Sequence, residues 1–202
     1  MIRTLLRAPT GAAEGVADAL RMLGVISIVV AGVGWGLLSA QSFVSAVVVM
    51  LVPRLLGLWP RFDIAFGAVI LASMWSSVLG VYITTRWWDL PMHFLTNGLC
   101  AALLYVVLVR LGVLADARTL PRPMLSAAVV TTALGLSLGA LWEFFEWFGH
   151  TFIDGEIYVG YADSLGDLLA GGLGSLLAGC SMQFLTGRSH TAKDRLSSPT
   201  LG

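Results

Sequence analysis

Five carboxylates and one histidine interrupt the most apolar part of this chain, at spacings that would put them on shared helix faces. Asp89 and His93 are four residues apart, Glu143 and Glu146 three apart, and Asp163 and Asp167 four apart. Side chains three or four positions apart are neighbours on a helix, so each pair would point one way. Ionisable groups are costly in hydrocarbon, and several gathered at one depth mark a site. Like charges placed that closely either retain protons or hold a cation. Mixed carboxylate and imidazole donors suit Zn, Mn or Fe, and an all-oxygen subset suits Mg or Ca. The expected metal ligands are therefore Asp89, His93, Glu143, Glu146, Asp163 and Asp167. Glu143 or Glu146 would act as general base toward a water activated at the metal.

Plainer roles compete for some of these residues. Asp89, two positions before Pro91, and Asp163, followed by Ser164, stand where helix N-caps stand. Glu143 and Glu146 lie at the helix end where a negative charge opposes the macrodipole, so capping does not account for them. Asp63, beside Arg61 at a helix start, reads as a cap. Asn97 lies one turn deeper than His93 and fits either the site or a helix–helix hydrogen bond. His150 continues the Glu146 face by one turn, near a loop.

The elements that must carry these residues read as membrane helices. Of 202 residues, 57% are hydrophobic and only 12% charged, with a mean hydropathy of +0.84; a soluble fold of this length needs more polar surface. Spans are expected at about Met22–Ala40, Phe43–Trp59, Ile64–Thr85, Asp89–Val109, Met124–Trp147 and Asp163–Leu185. Most approach the roughly 20 residues that cross a bilayer. The second is interrupted by Pro53-Arg54 and reads as short or kinked. Residues 1–21 form a basic tail, 22–185 a single transmembrane domain, and 186–202 a polar, disordered tail. The first apolar run is too short for a cleavable signal peptide.

Lys and Arg set the orientation. With six spans and both termini cytoplasmic, 11 of the 12 Lys and Arg face the cytoplasm, and only Arg86 lies outside. The outer loop after Gly149 carries Asp154 and Glu156 and no base, which agrees. Trp87, Trp88, Trp142 and Trp147 then fall at outer helix ends, as an interfacial aromatic belt would. The expected fold is an all-α polytopic membrane bundle of about six helices, N-in and C-in, in contact with membrane lipids.

Small residues say which faces pack. In the last span Asp163 and Asp167 share a stripe with Gly171, Ser175 and Gly179, and in the fifth Gly135 and Gly139 lead to Glu143. Small residues at four-residue spacing let membrane helices approach closely, so the acidic faces should turn inward. Cys100 and Cys180 lie roughly 9 Å apart in depth and read as packing residues, not a disulfide. There is no HExxH, no ExxH pair, no GxSxG elbow, no Gly-rich phosphate loop and no CxxC. The basic residues follow cytoplasmic loops and build no nucleic-acid surface.

Three stretches, WWDLPMHFLTNG, LWEFFEWFGH and YADSLGDLLAGGLGS, resemble the motifs of the YjdF-like family of small bacterial inner-membrane proteins. The resemblance runs from about Phe62 to Gly179. It implies a multi-pass protein of the bacterial inner membrane and no assigned reaction. The order of motifs is also similar to that of VanZ-like proteins, which are linked with glycopeptide-antibiotic resistance; here Leu90 replaces a Lys of that pattern, and Asp167-Leu168 stands near an expected Asn.

Three functions fit these residues. The first is a metal-dependent membrane protein acting on a lipid or envelope substrate. The second is a proton- or cation-coupled transporter. The third is a structural or partner-binding protein whose acidic network fixes helix register.

Overall fold

A computed structural model describes residues 7–153, 155 and 157–182; the expected polar tail at 186–202, the last residues of the sixth expected span, Asp154 and Glu156 lie outside them. The protein is all-helical, as the composition implies. Among the described residues seven α-helices follow in order: α1 Ala12–Trp35, α2 Leu37–Leu55, α3 Pro60–Val78, α4 Val81–Thr84, α5 Asp89–Arg110, α6 Pro123–Phe152 and α7 Tyr161–Cys180. Short 3-10 turns at Arg86–Trp88 and Ala117–Thr119 precede α5 and α6.

Helices α1, α2 and α3, the stretch Arg86–Arg110 containing α5, and α6 are long and apolar enough to cross a membrane. The sixth expected span is α7, which has 20 residues. Its Asp163 and Asp167 and its run of glycines lower its hydropathy. Burial is arranged as in a lipid-solvated protein. Ala17, Ala31, Ala46, Ala101, Ala102, Ala127 and Ala128 are buried, while Val29, Val33, Leu37, Phe144 and Phe145 are exposed. Helices without a hydrophobic force between them associate through small residues and leave large apolar ones to lipid.

Glycine and proline set the boundaries. Gly36, with φ of 95°, separates α1 from α2, and Gly80, with φ of 67°, follows α3; left-handed backbone favours glycine. Pro60 and Pro123 open α3 and α6 at first-turn positions, where proline removes no helical hydrogen bond. Pro53 lies in the last turn of α2 and leaves 19 helical residues intact, so the second span ends at the proline without being broken by it. The first helix begins at Ala12, inside the segment read as a tail, and α6 runs on past Trp147 to Phe152.

The chain divides between Leu79 and Gly80 into two compact units, where the sequence reads as one six-helix domain. In the first, α1, α2 and α3 pack against one another around a network of charges. Asp63 is not a cap: the N-cap of α3 is Trp59, and Asp63 is buried in an ion pair with Arg21. Arg21 also reaches Asp18 at 2.7 Å and donates from Nε to the Met50 carbonyl at 3.0 Å. Arg54 bridges Glu14 at 3.3 Å and Asp18 at 3.2 Å, and Arg7 meets Glu14 at 2.8 Å. Three guanidinium groups thus answer three carboxylates. The sequence reading treats these arginines as topology signals; with α1 starting at Ala12, Glu14, Asp18 and Arg21 fall at helical spacing on one face, which is the signal that reveals them.

Candidate functional site

In the second unit α5, α6 and α7 pack mutually, and the reason is the small-residue stripe. A Cβ added at Gly174 would collide with the Phe94 carbonyl, and one at Gly98 would lie 2.8 Å from the Gly174 carbonyl. A Cβ at Gly135 would strike Ser175, and one at Gly171 would strike the Asn97 amide. Backbone meets backbone along α5 and α7, an approach that only glycine permits. Asp167, Gly171, Ser175 and Gly179 are all buried, as are Gly135 and Gly139 on α6. The acidic faces therefore turn inward, as their spacing predicts.

This packing brings Asp89, His93 and Asp167 together. His93 Nε2 lies 3.4 Å from Asp89 Oδ1 and 3.9 Å from Asp167 Oδ1. One donor atom from each of the three lies within 4.8 Å of the others. Asp167 is 2% exposed and His93 8%, and Asp167 Oδ2 has no hydrogen-bond partner among the described residues. The capping alternatives do not hold for either helix start: the N-cap of α5 is Trp88 and that of α7 is Gly160, and neither Asp89 nor Asp163 caps through its side chain.

The other three predicted ligands, Glu143, Glu146 and Asp163, are not part of that close group, though their charges are felt by His93 or Asp167. The charge of Glu143 acts on Glu146, Asp163 and Asp167, and that of Asp89 acts on the same three groups. Glu143 Oε1 is buried without a partner among the described residues. Glu146 accepts a hydrogen bond from the Trp142 indole at 2.8 Å. Arg86, the nearest positive side chain in sequence, lies 4.7 Å over the Tyr158 ring, and its charge reaches Asp163. His150 turns elsewhere: its Nδ1 lies 2.6 Å from the Ile157 carbonyl. Five carboxylates thus share one neighbourhood with one arginine and one imidazole.

Polar groups also continue inward. Asn97 is buried against Gly171 and Gly139, with Nδ2 unpartnered. Thr131 on α6 is fully buried with its Oγ1 unpartnered, and Ser175 gives its hydroxyl hydrogen to the Gly171 carbonyl. Thr131 was not singled out from the sequence, because a lone threonine in an apolar helix carries no spacing signal; its place opposite Gly179 is visible only in the packed unit.

By residue type and spacing, Asp89, His93 and Asp167 could hold a cation. Donors at about 2.1 Å from a tetrahedral ion are about 3.4 Å apart, so the three side chains, now within 4.8 Å of one another, would have to draw in to hold one. The orphaned Asp167 oxygen is the kind of buried acceptor that a bound ion satisfies.

The family model described as "Predicted membrane protein (DUF2238)" matches residues 19–188, most of the chain. The chain belongs to this family. The family description places it in membranes, in agreement with its apolar helices, and names no activity. No curated protein matches the chain, and no solved structure does.

Proposed function

We propose that this membrane protein binds a divalent cation between Asp89, His93 and Asp167 and uses it on a lipid or envelope substrate at the outer face of a bacterial inner membrane. The observation that carries the reading is the convergence of these three donors from α5 and α7, with one Asp167 oxygen buried and unpartnered. Imidazole beside carboxylates suits Zn, Mn or Fe, with Mg favoured where oxygen donors dominate. When bound, such a cation supplies Lewis acidity toward a carbonyl or phosphoryl oxygen. Glu143, whose buried Oε1 has no partner among the described residues, would serve as the general base. Glu146, which accepts from the Trp142 indole, is the alternative base. The resemblance to YjdF-like proteins, together with the outward Arg86 and inward remaining bases, supports the localisation and the N-in, C-in orientation.

The test is elemental analysis of the full chain purified in mild detergent without chelators. Bound divalent metal in wild type, lost in His93→Ala and Asp89→Asn, is the expected result. Metal-free wild type that is folded and does not take up added Mn or Zn overturns the reading.

A second reading, cation-coupled transport, draws on one specific observation: the unpartnered Asn97 and Thr131 extend buried polar groups inward from the acidic cluster. Tracer-ion uptake by reconstituted vesicles, abolished by Glu143→Gln, is the result that favours it over an enzyme.

A further inference from the structure

Next to the contact of His93 with Asp167, the three packed helices enclose an amide. Asn97 stands one turn further along α5 than His93, and Gly171 one turn further along α7 than Asp167. A Cβ built at Gly171 would lie 2.1 Å from Asn97 Nδ2, and one built at Gly139 of α6 would lie 3.1 Å from the same atom. The amide therefore fills the space that side chains at both glycines would take. Leu168 of α7 also reaches the Gly139 position, at 3.1 Å, so α6 and α7 face each other at this level. Asn97 is 9% exposed, and its Nδ2 has no acceptor among the described residues.

The two orphaned carboxylate oxygens belong to the residues one turn from these glycines. Glu143 follows Gly139 by one turn of α6, and Asp167 precedes Gly171 by one turn of α7. A helical side chain leans toward its helix N-terminus and covers the turn before it, so the Glu143 head group leans back over Gly139, toward the amide. Asp167 turns Oδ1 to His93 at 3.9 Å and leaves Oδ2 buried. Asn97 Nδ2, Asp167 Oδ2 and Glu143 Oε1 are each buried and make no hydrogen bond among the described residues. One helical turn is about 5.4 Å, too far for a direct hydrogen bond. It is close to the roughly 5.6 Å that two hydrogen bonds span through a single water.

The chemistry of the three atoms selects the occupant. Nδ2 is a donor and needs an acceptor, whereas Oδ2 and Oε1 are acceptors and need donors. A proton retained by either carboxylate supplies a donor but leaves Nδ2 unanswered. A cation answers the oxygens but faces the amide hydrogens. A water accepts from Nδ2 and gives one hydrogen to each carboxylate, the three bonds that a buried water typically makes. We propose that Asn97 Nδ2, Asp167 Oδ2 and Glu143 Oε1 hold one ordered water between α5, α6 and α7, with Asn97 as its positioning residue. The role of this water rests on the reading of Glu143 as general base and deepens it: a hydrogen bond from water to carboxylate is the contact a general base makes with the water it activates. Asp167 keeps Oδ1 for the cation beside His93, so its two oxygens serve two neighbours.

The experiment is a high-resolution structure of the full chain, freed of divalent ions by chelator, as wild type and as Asn97→Leu. The expected result in wild type is one density peak about 2.8 Å from each of the three atoms, lost in folded Asn97→Leu. The wild-type peak decides the matter even if Asn97→Leu does not fold. A direct hydrogen bond from Asn97 to either carboxylate, with no peak between them, overturns the proposal. So does a peak about 2.1–2.4 Å from the carboxylate oxygens, which is a metal–ligand distance. A peak retained in folded Asn97→Leu overturns the role of Asn97. Elemental analysis of the same protein fails independently: the peak in a chain that takes up no metal keeps the water and removes the cation, and bound metal without the peak does the reverse.

Discussion

Both units bury charge among apolar helices, and they settle it in opposite ways. In the unit built from α1, α2 and α3, Arg7, Arg21 and Arg54 face Glu14, Asp18 and Asp63, and each carboxylate has a guanidinium partner. In the unit built from α5, α6 and α7, five carboxylates gather near one imidazole and Arg86, and two of their oxygens are left buried and unpartnered. A balanced network of hydrogen-bonded pairs is a structural device. An unbalanced one is costly unless something else completes it. That difference is why the acidic unit, and not the charge-balanced first unit, carries the functional reading.

The sharpest way to break the comparison is to unbalance the balanced side. Asp63→Asn leaves Arg21 buried beside a neutral amide, and a loss of about 3–5 kcal/mol is expected in chemical unfolding of the detergent-solubilised protein. Asp167→Asn in metal-free protein should cost far less, because it removes one of several mutually repelling charges. An equal loss from both substitutions would mean that the acidic unit is balanced after all.

Cation addition comes next. Free Mn or Zn at one hundred times its dissociation constant should stabilise wild type by about 2.7 kcal/mol, read as a raised midpoint of thermal unfolding. His93→Ala should show no such gain, while Asp63→Asn, for all its lower stability, should keep the full increment. Sensitivity of both variants alike would place the ion outside the Asp89, His93 and Asp167 group.

Packing separates the units more gently. In α1 a Cβ added at Gly24 meets the tips of Val47, Leu71 and Met50, which can move, whereas at Gly174 it meets the backbone of α5. Gly174→Ala should cost about 1–3 kcal/mol and weaken metal binding as α5 and α7 part. Gly24→Ala should cost less and leave metal binding alone.

The smallest effect is expected in the segment between α5 and α6. Asp116 accepts from Arg118, which holds its carboxyl below the usual range and Arg118 above its own. A carboxyl with a lowered folded-state pKa adds stability that is complete above its unfolded pKa and is lost as pH falls through the folded value. Asp116→Ala should therefore cost under about 1 kcal/mol at neutral pH, and the difference from wild type should vanish on acidification. A larger or pH-independent loss would assign Asp116 some role besides this pair.

Much of the site was legible because helical periodicity is a local property. Asp89 with His93 and Asp163 with Asp167 declare their shared faces by spacing alone, and the Gly171, Ser175, Gly179 stripe declares which face of α7 packs. The first unit was less legible. Arg21 and Asp63 are 42 residues apart, and no spacing rule links an arginine in one helix to an aspartate two helices later. Asp63 consequently reads as a cap from its position near a helix start, although Trp59 holds that place. Asp89 and Asp163 carry the same ambiguity, and helix boundaries set one residue or three residues earlier remove it.

The sequence by itself determined the class of the protein: long apolar helices, their approximate number, the inward faces of α5, α6 and α7, and the residue types available for chemistry there. Those follow from hydropathy and from the 3.6-residue period, which act over a few turns of chain. Only the tertiary structure decided which charges meet. It paired Arg21 with Asp63, brought Asp89 and His93 of α5 against Asp167 of α7, and left Asn97 Nδ2, Thr131 Oγ1 and two carboxylate oxygens without partners among the described residues. Partnership depends on how closely helices approach, and here that distance is set by glycines lying directly against a neighbouring backbone.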